Sequence, residues 1–106
     1  MDGGAVSVVV AQMHVKEGRE DEARMMVVER APDLLRALPG VLGGYWARSV
    51  DGVEVVHHSF WLFDSEGGAR RAASALAATR EMPDAPAVLR AVDVCELIVR
   101  MSGVGR

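Results

Sequence analysis

Four residues at alternate positions, His57, Ser59, Trp61 and Phe63, carry most of the chemistry this chain offers. In a β-strand alternate side chains share a face. An imidazole, a hydroxyl and two aromatic surfaces therefore fall in one row. An imidazole titrates near neutral pH and can take the proton of a phenol as a general base. Aromatic surfaces beside it suit a flat ligand. Met13, on an earlier apolar strand, joins the row as a ligand-contact candidate. Packing of a buried aromatic face around a hydrogen-bonded structural histidine gives the same pattern, so both readings stand at this point.

The remaining candidates are weaker. His58 points opposite to His57. His14 shares its strand face with Val8, Val10 and Gln12, and Glu96 is assigned to that same side. Three His and one Cys form no metal motif, because adjacent strand histidines diverge and no pair has helical i, i+4 spacing. Cys95 reads as a small buried hydrophobe. In the second strand Trp46 and Arg48 share a face and Tyr45 takes the other, either bordering a pocket or packing. There is no nucleophile elbow, phosphate loop or dinucleotide fingerprint. No metal site and no cofactor site is read from the chain.

The elements that must position these residues follow from periodicity. Strand one spans about Val6 to Val15, and Lys16-Glu17-Gly18 turns into a helix with Glu20, Asp21 and Glu22 at its positive end. Apolar residues at three-four spacing run from Ala23 to Leu38, interrupted by Pro32, which kinks or restarts the helix. Pro39-Gly40 ends it. Strand two runs from about Val41 to Val50, with Gly43-Gly44 marking a bulge or a close backbone approach. Asp51-Gly52 is a hairpin signal leading into strand three, Val53 to Phe63. Asp64-Ser65 caps an alanine-rich second helix, Glu66 to about Arg80. After Pro83 and Pro86 comes a helical turn over Ala87 to Arg90. Strand four follows, Val92 to Met101, with Val94 and Ile98 on one face. Residues 1–5 and 102–106 read as a loose lead and tail.

The order strand-helix-strand-strand-helix-strand is the ferredoxin-like arrangement of α+β proteins. Right-handed crossovers place both helices on one face of a four-stranded antiparallel sheet. Yet the strands are apolar on both faces. An open face should alternate with polar residues. The cover expected is the same face of a second copy, through Val8, Val10, Val56, Phe60, Leu62, Val94 and Ile98.

The 106 residues bound one domain, 1–106. A net charge of −3 argues against nucleic acid as a partner. No stretch is long and apolar enough for a membrane. The first residues lack the basic and apolar regions of a signal peptide. One cysteine excludes an internal disulfide. Together these place the chain in the cytoplasm.

Several segments resemble the antibiotic biosynthesis monooxygenase family of dimeric α+β barrels. They are Val8-Val9-Val10-Ala11-Gln12-Met13-His14-Val15-Lys16-Glu17-Gly18, Arg30-Ala31-Pro32, Leu38-Pro39-Gly40-Val41-Leu42-Gly43 and Phe63-Asp64-Ser65-Glu66. The resemblance covers about 6–101. It implies sheets paired face to face between subunits, and a ligand pocket in each subunit between helices and sheet. His57, Ser59, Trp61 and Phe63 then face that pocket. Some members of the family oxidise electron-rich phenols with molecular oxygen and no bound cofactor, and others degrade haem. The haem-degrading pattern uses an Asn in strand one, a Trp at the end of strand three and a His on helix two. Ala11 and Phe63 occupy the first two positions here, and no His follows His58. The expected function is a cofactor-independent monooxygenase on an aromatic or polyketide-like molecule, with His57 as catalytic base. The alternatives are a non-catalytic binding or auxiliary dimer, and a cyclase or isomerase on the same fold.

Overall fold

The computed structural model describes residues 6–101, so the lead 1–5 and the tail 102–106 lie outside the described residues. In chain order come β1 (Ser7–Val15), α1 (Glu20–Glu29), α2 (Ala31–Arg36), β2 (Val41–Arg48) and β3 (Val56–Phe63). They are followed by α3 (Glu66–Ala77), a 3-10 turn over Ala78–Glu81, and β4 (Ala87–Glu96). The strands form one antiparallel sheet in the order β2-β3-β1-β4. This is the ferredoxin-like α+β fold.

Local chemistry accounts for the boundaries. Pro32 has no backbone N–H and fits only the first turn of a helix. The helical run therefore stops at Glu29 and restarts at Ala31, with Arg30 as the joint. Gly40, at φ 77°, makes the turn into β2. Ser65 Oγ accepts a hydrogen bond from the Gly68 N–H at 3.0 Å and caps α3. Asp51-Gly52 does form a turn, but inside a longer loop, 49–55, rather than a two-residue hairpin. The first residues expected in strand three leave β2. Val55 instead accepts from the Val15 N–H of β1 at 2.9 Å.

Strand four departs most from expectation. It is Ala87–Glu96, so that Ala87 to Arg90 are strand rather than the helical turn expected, and residues 97–101 belong to no element. The partner strand sets the limit, since β1 pairs Val15 with Ala87 at one end and Ser7 with Glu96 at the other. Ile98, Val99 and Met101 overhang this ladder and are exposed. The ladder with β1 also fixes the faces. Val94 lies opposite Val9 and faces the helices, not the open side. Cys95 lies opposite Val8 on the open side and is exposed rather than buried. Glu96 lies opposite Ser7, away from Gln12 and His14.

The core sits between the sheet and the helices. Val9, Leu35, Phe63, Ala69 and Ala72 form its centre, with Trp46, Trp61, Val92 and Val94 packed around them. The other sheet face presents Val8, Val10, Phe60, Leu62 and Tyr45, with Asp93 and Cys95 on β4. Tyr45 there is 67% exposed. At one end of this face polar groups pair with each other. His14 Nδ1 is 3.0 Å from Glu54, which also holds Arg90, and Ser49 Oγ is 2.9 Å from His58 Nε2. Among the described residues no helix is long and apolar enough to cross a membrane.

Candidate active site

The helix-facing side of the sheet is built in cross-strand rows. Arg48, His57 and Met13 are neighbours in one row, Trp46, Ser59 and Ala11 in the next, and Gly44, Trp61 and Val9 in a third. Residues directly opposite in an antiparallel pair stand side by side on one face. Ser59 is the small residue of this floor, among Met13, Trp46, His57 and Trp61. Above it α1, α2 and α3 hold alanines at 23, 31, 72 and 75, and a cavity of about 460 Å³ remains. That volume suits a small organic ligand. The break at Arg30 keeps α1 and α2 from forming one straight roof, and Arg30 itself lines the cavity. The far wall is the loop Met82 to Ala87. This loop is tied to the β1–α1 turn by Lys16 Nζ donating to the Pro83 carbonyl at 2.7 Å and Arg19 donating to the Ala85 carbonyl at 3.3 Å.

Met13, His57, Ser59 and Trp61 all line this cavity. Phe63 does not. It is fully buried in the core, where Gly68 and Ala69 let α3 close onto the sheet. A Cβ on Gly68 would already touch the Phe63 ring at 3.4 Å. The strand alternation puts Phe63 in the right row, but the helix approaches the sheet at its end of that row. Trp46, read from the sequence as bordering a pocket or packing, does border the cavity. Arg30 and Thr79 also belong to it and are not singled out by sequence pattern, although Arg30 carries a signal in preceding the helix-breaking Pro32.

The cavity is apolar apart from a few groups. His57 is buried, 7% exposed. Desolvation is the main cause holding its pKa below the ordinary 6.5, followed by the positive charges of Arg48 and Arg24 and the neighbouring His58. The imidazole is therefore neutral at pH 7 and able to accept a proton. Ser59 is buried beside it. The indole N–H of Trp61 is buried and has no acceptor among the described residues. Its pyrrole edge lies over Gly44, where a Cβ would come 2.6 Å from Leu35 Cδ2 and 3.4 Å from Trp61 Cδ1. Gly43-Gly44 thus marks both a bulge, between Val41 and Gly43, and a close approach.

Among the described residues no three His, Cys, Asp or Glu side chains converge as a metal site would require. Haem held from the second long helix does not fit either. The α3 residues on the cavity, Ala72, Ala75 and Leu76, carry no iron ligand, nor does Thr79 just beyond.

No family model and no curated protein matches the chain. Solved structures do. MhuD, a haem-degrader from Mycobacterium tuberculosis solved with two haems bound, is 21% identical with a TM-score of 0.68, over 92% of this chain and 99% of that one. A variant of MhuD with two manganese protoporphyrins bound is 24% identical with a TM-score of 0.60, over 94% and 99%. The monooxygenase ActVA-Orf6 of Streptomyces coelicolor, solved with nanaomycin D, is 19% identical with a TM-score of 0.52, over 97% and 94%. The chain shares the ferredoxin-like α+β fold of these structures. Identities this low speak for the fold and not for a shared reaction.

Proposed function

We propose that the chain is a cofactor-independent monooxygenase acting on an aromatic or polyketide-like phenol. The observation that carries this is a neutral, buried imidazole on the floor of an apolar cavity, next to a hydroxyl and an indole N–H lacking an acceptor. His57 takes the phenol proton. Ser59 and Trp61 donate to the oxygen that becomes negative. The electron-rich ring anion reduces O₂ and joins it, forming a carbon–oxygen bond. The ring hydroperoxide then loses water. The sum is phenol plus O₂ giving quinone plus water, with one of the two O₂ atoms in each product. All electrons come from the substrate, and the proton held by His57 returns to the departing oxygen. Solved neighbours with this fold include a monooxygenase and a haem-degrader, and the first kind supports the reading.

The same proposal includes a homodimer through the open sheet face and a cytoplasmic setting. Val10 and Phe60, half-buried, with the buried Val8 and Leu62 beside them, give the apolar strip, and a lone cysteine suits reducing conditions. The test is oxygen uptake with a naphthol-type phenol in the presence of a chelator. One O₂ consumed per phenol, with quinone formed, is the result expected. Binding without uptake would replace this reading with that of a non-catalytic binding subunit, which the scarcity of polar groups around the cavity favours. A rearranged product formed without oxygen would point to a cyclase or isomerase.

A further inference from the structure

A second depression, of about 340 Å³, opens beside the main cavity between α1 and the end of β2. Val27, Trp46 and His57 line both spaces, so the two are neighbours sharing one wall. The second space adds two cations, Arg24 from α1 and Arg48 from β2. Arg48 is the cross-strand partner of His57. The other arginines near acids are engaged: Arg19, Arg36, Arg70 and Arg90 each hold a carboxylate. Arg24 and Arg48 make no ion pair or side-chain hydrogen bond with a described residue. Two guanidiniums without an acid partner among the described residues thus flank one depression, and guanidinium geometry matches carboxylate and phosphate oxygens two at a time.

We infer that Arg24 and Arg48 bind an anionic oxygen group of the substrate, a carboxylate or phosphate ester, while its ring lies in the main cavity over His57. The inference rests on the proposed function and names the substrate class: an aromatic acid rather than a neutral phenol. The bound anion would fix which ring carbon faces His57. It would also offset the two positive charges that now lower the basicity of that imidazole, so substrate binding would strengthen the base.

The test is calorimetric titration of the intact protein with 3-hydroxy-2-naphthoate, its methyl ester, and naphthyl phosphate. The acid should bind about tenfold or more tighter than the ester, the scale of one charge-assisted pair. The preference should shrink between low and high salt. Arg24→Gln with Arg48→Gln should bring the acid down to the ester's affinity and leave the ester unchanged. Arg48→Lys should keep part of the preference. Both arginines are exposed, so an unaltered melting curve should accompany these changes. Naphthyl phosphate binding as well as the acid would show that charge is read rather than carboxylate shape, and supports the site. Equal binding of acid and ester, or a preference surviving the double replacement, would overturn the inference while leaving the aromatic cavity standing. Failure of all three probes to bind would overturn both.

Discussion

His57 is the base in the proposed reaction, and its environment sets a testable pH dependence. Burial, then Arg48, Arg24 and His58, hold its pKa below 6.5. The base form thus persists at pH values where a free imidazole is half protonated. The acid limb of the rate profile should lie below pH 6.5, and His57→Ala should abolish it and lower turnover about 10²-fold or more. The same shift enters stability. A depressed histidine pKa contributes stability that is complete above pH 6.5 and lost as pH falls through the folded value. Acid unfolding monitored for the wild type and His57→Ala should show the variant less sensitive in that window. Trp61 offers a separate check, because its indole N–H is buried without an acceptor. Leaving such a donor unpaired is unfavourable. Trp61→Phe should leave the melting temperature equal or slightly higher, yet weaken binding of a phenol whose oxygen needs that donor. An unchanged affinity would remove Trp61 from the site. The row containing these residues was legible from alternation alone. The exclusion of Phe63 was not, because it depends on how closely α3 approaches the sheet.

Elements decide how that floor is held. Ser65 caps α3 through the Gly68 N–H, and the first residues of α3 close the core above Phe63. Ser65→Ala should cost about 1 kcal/mol and lower the melting temperature by several degrees without altering the cavity. Gly44→Ala should act in the opposite sense. A methyl there displaces Leu35, a cavity residue, so ligand affinity should fall more than stability does. Helix caps, the Pro32 restart and the Gly43-Gly44 bulge were all readable, since each rests on the chemistry of one residue. The bounds of β4 were not. The run from Ala87 to Met101 is apolar enough to start or stop at several places. Only its ladder with β1, and the register shift at Gln12/Met13, choose among them. The pairing of Val94 with Val9 and of Cys95 with Val8 in that ladder sets their faces, opposite to those expected.

At the scale of the whole molecule the unresolved demand is the open sheet face. The central strands β1 and β3 do present apolar side chains on both sides, as their sequences suggested, while β4 brings Asp93 and Cys95 to the open one. The apolar strip is therefore narrower than the sequence implied, centred on Val8, Val10, Phe60 and Leu62, with Tyr45 beside them. A second copy laid on this strip would bury an interface on the order of 2,000 Å². Phe60→Asp places a carboxylate at its centre. Arg90 is already held by Glu54 and lies with the polar cluster at one end of the face, so it offers no ready partner. An unpaired charge buried there costs several kcal/mol, comparable to the total stability of a small domain. The expected outcome is loss of the dimer in sedimentation, accompanied by a lower and concentration-independent melting temperature. His58→Ala, at the partly polar end, should shift assembly far less. A wild-type chain that sediments as a stable monomer at micromolar concentration would show that the strip is covered in some other way. An unchanged dimer in Phe60→Asp would show that subunits meet elsewhere.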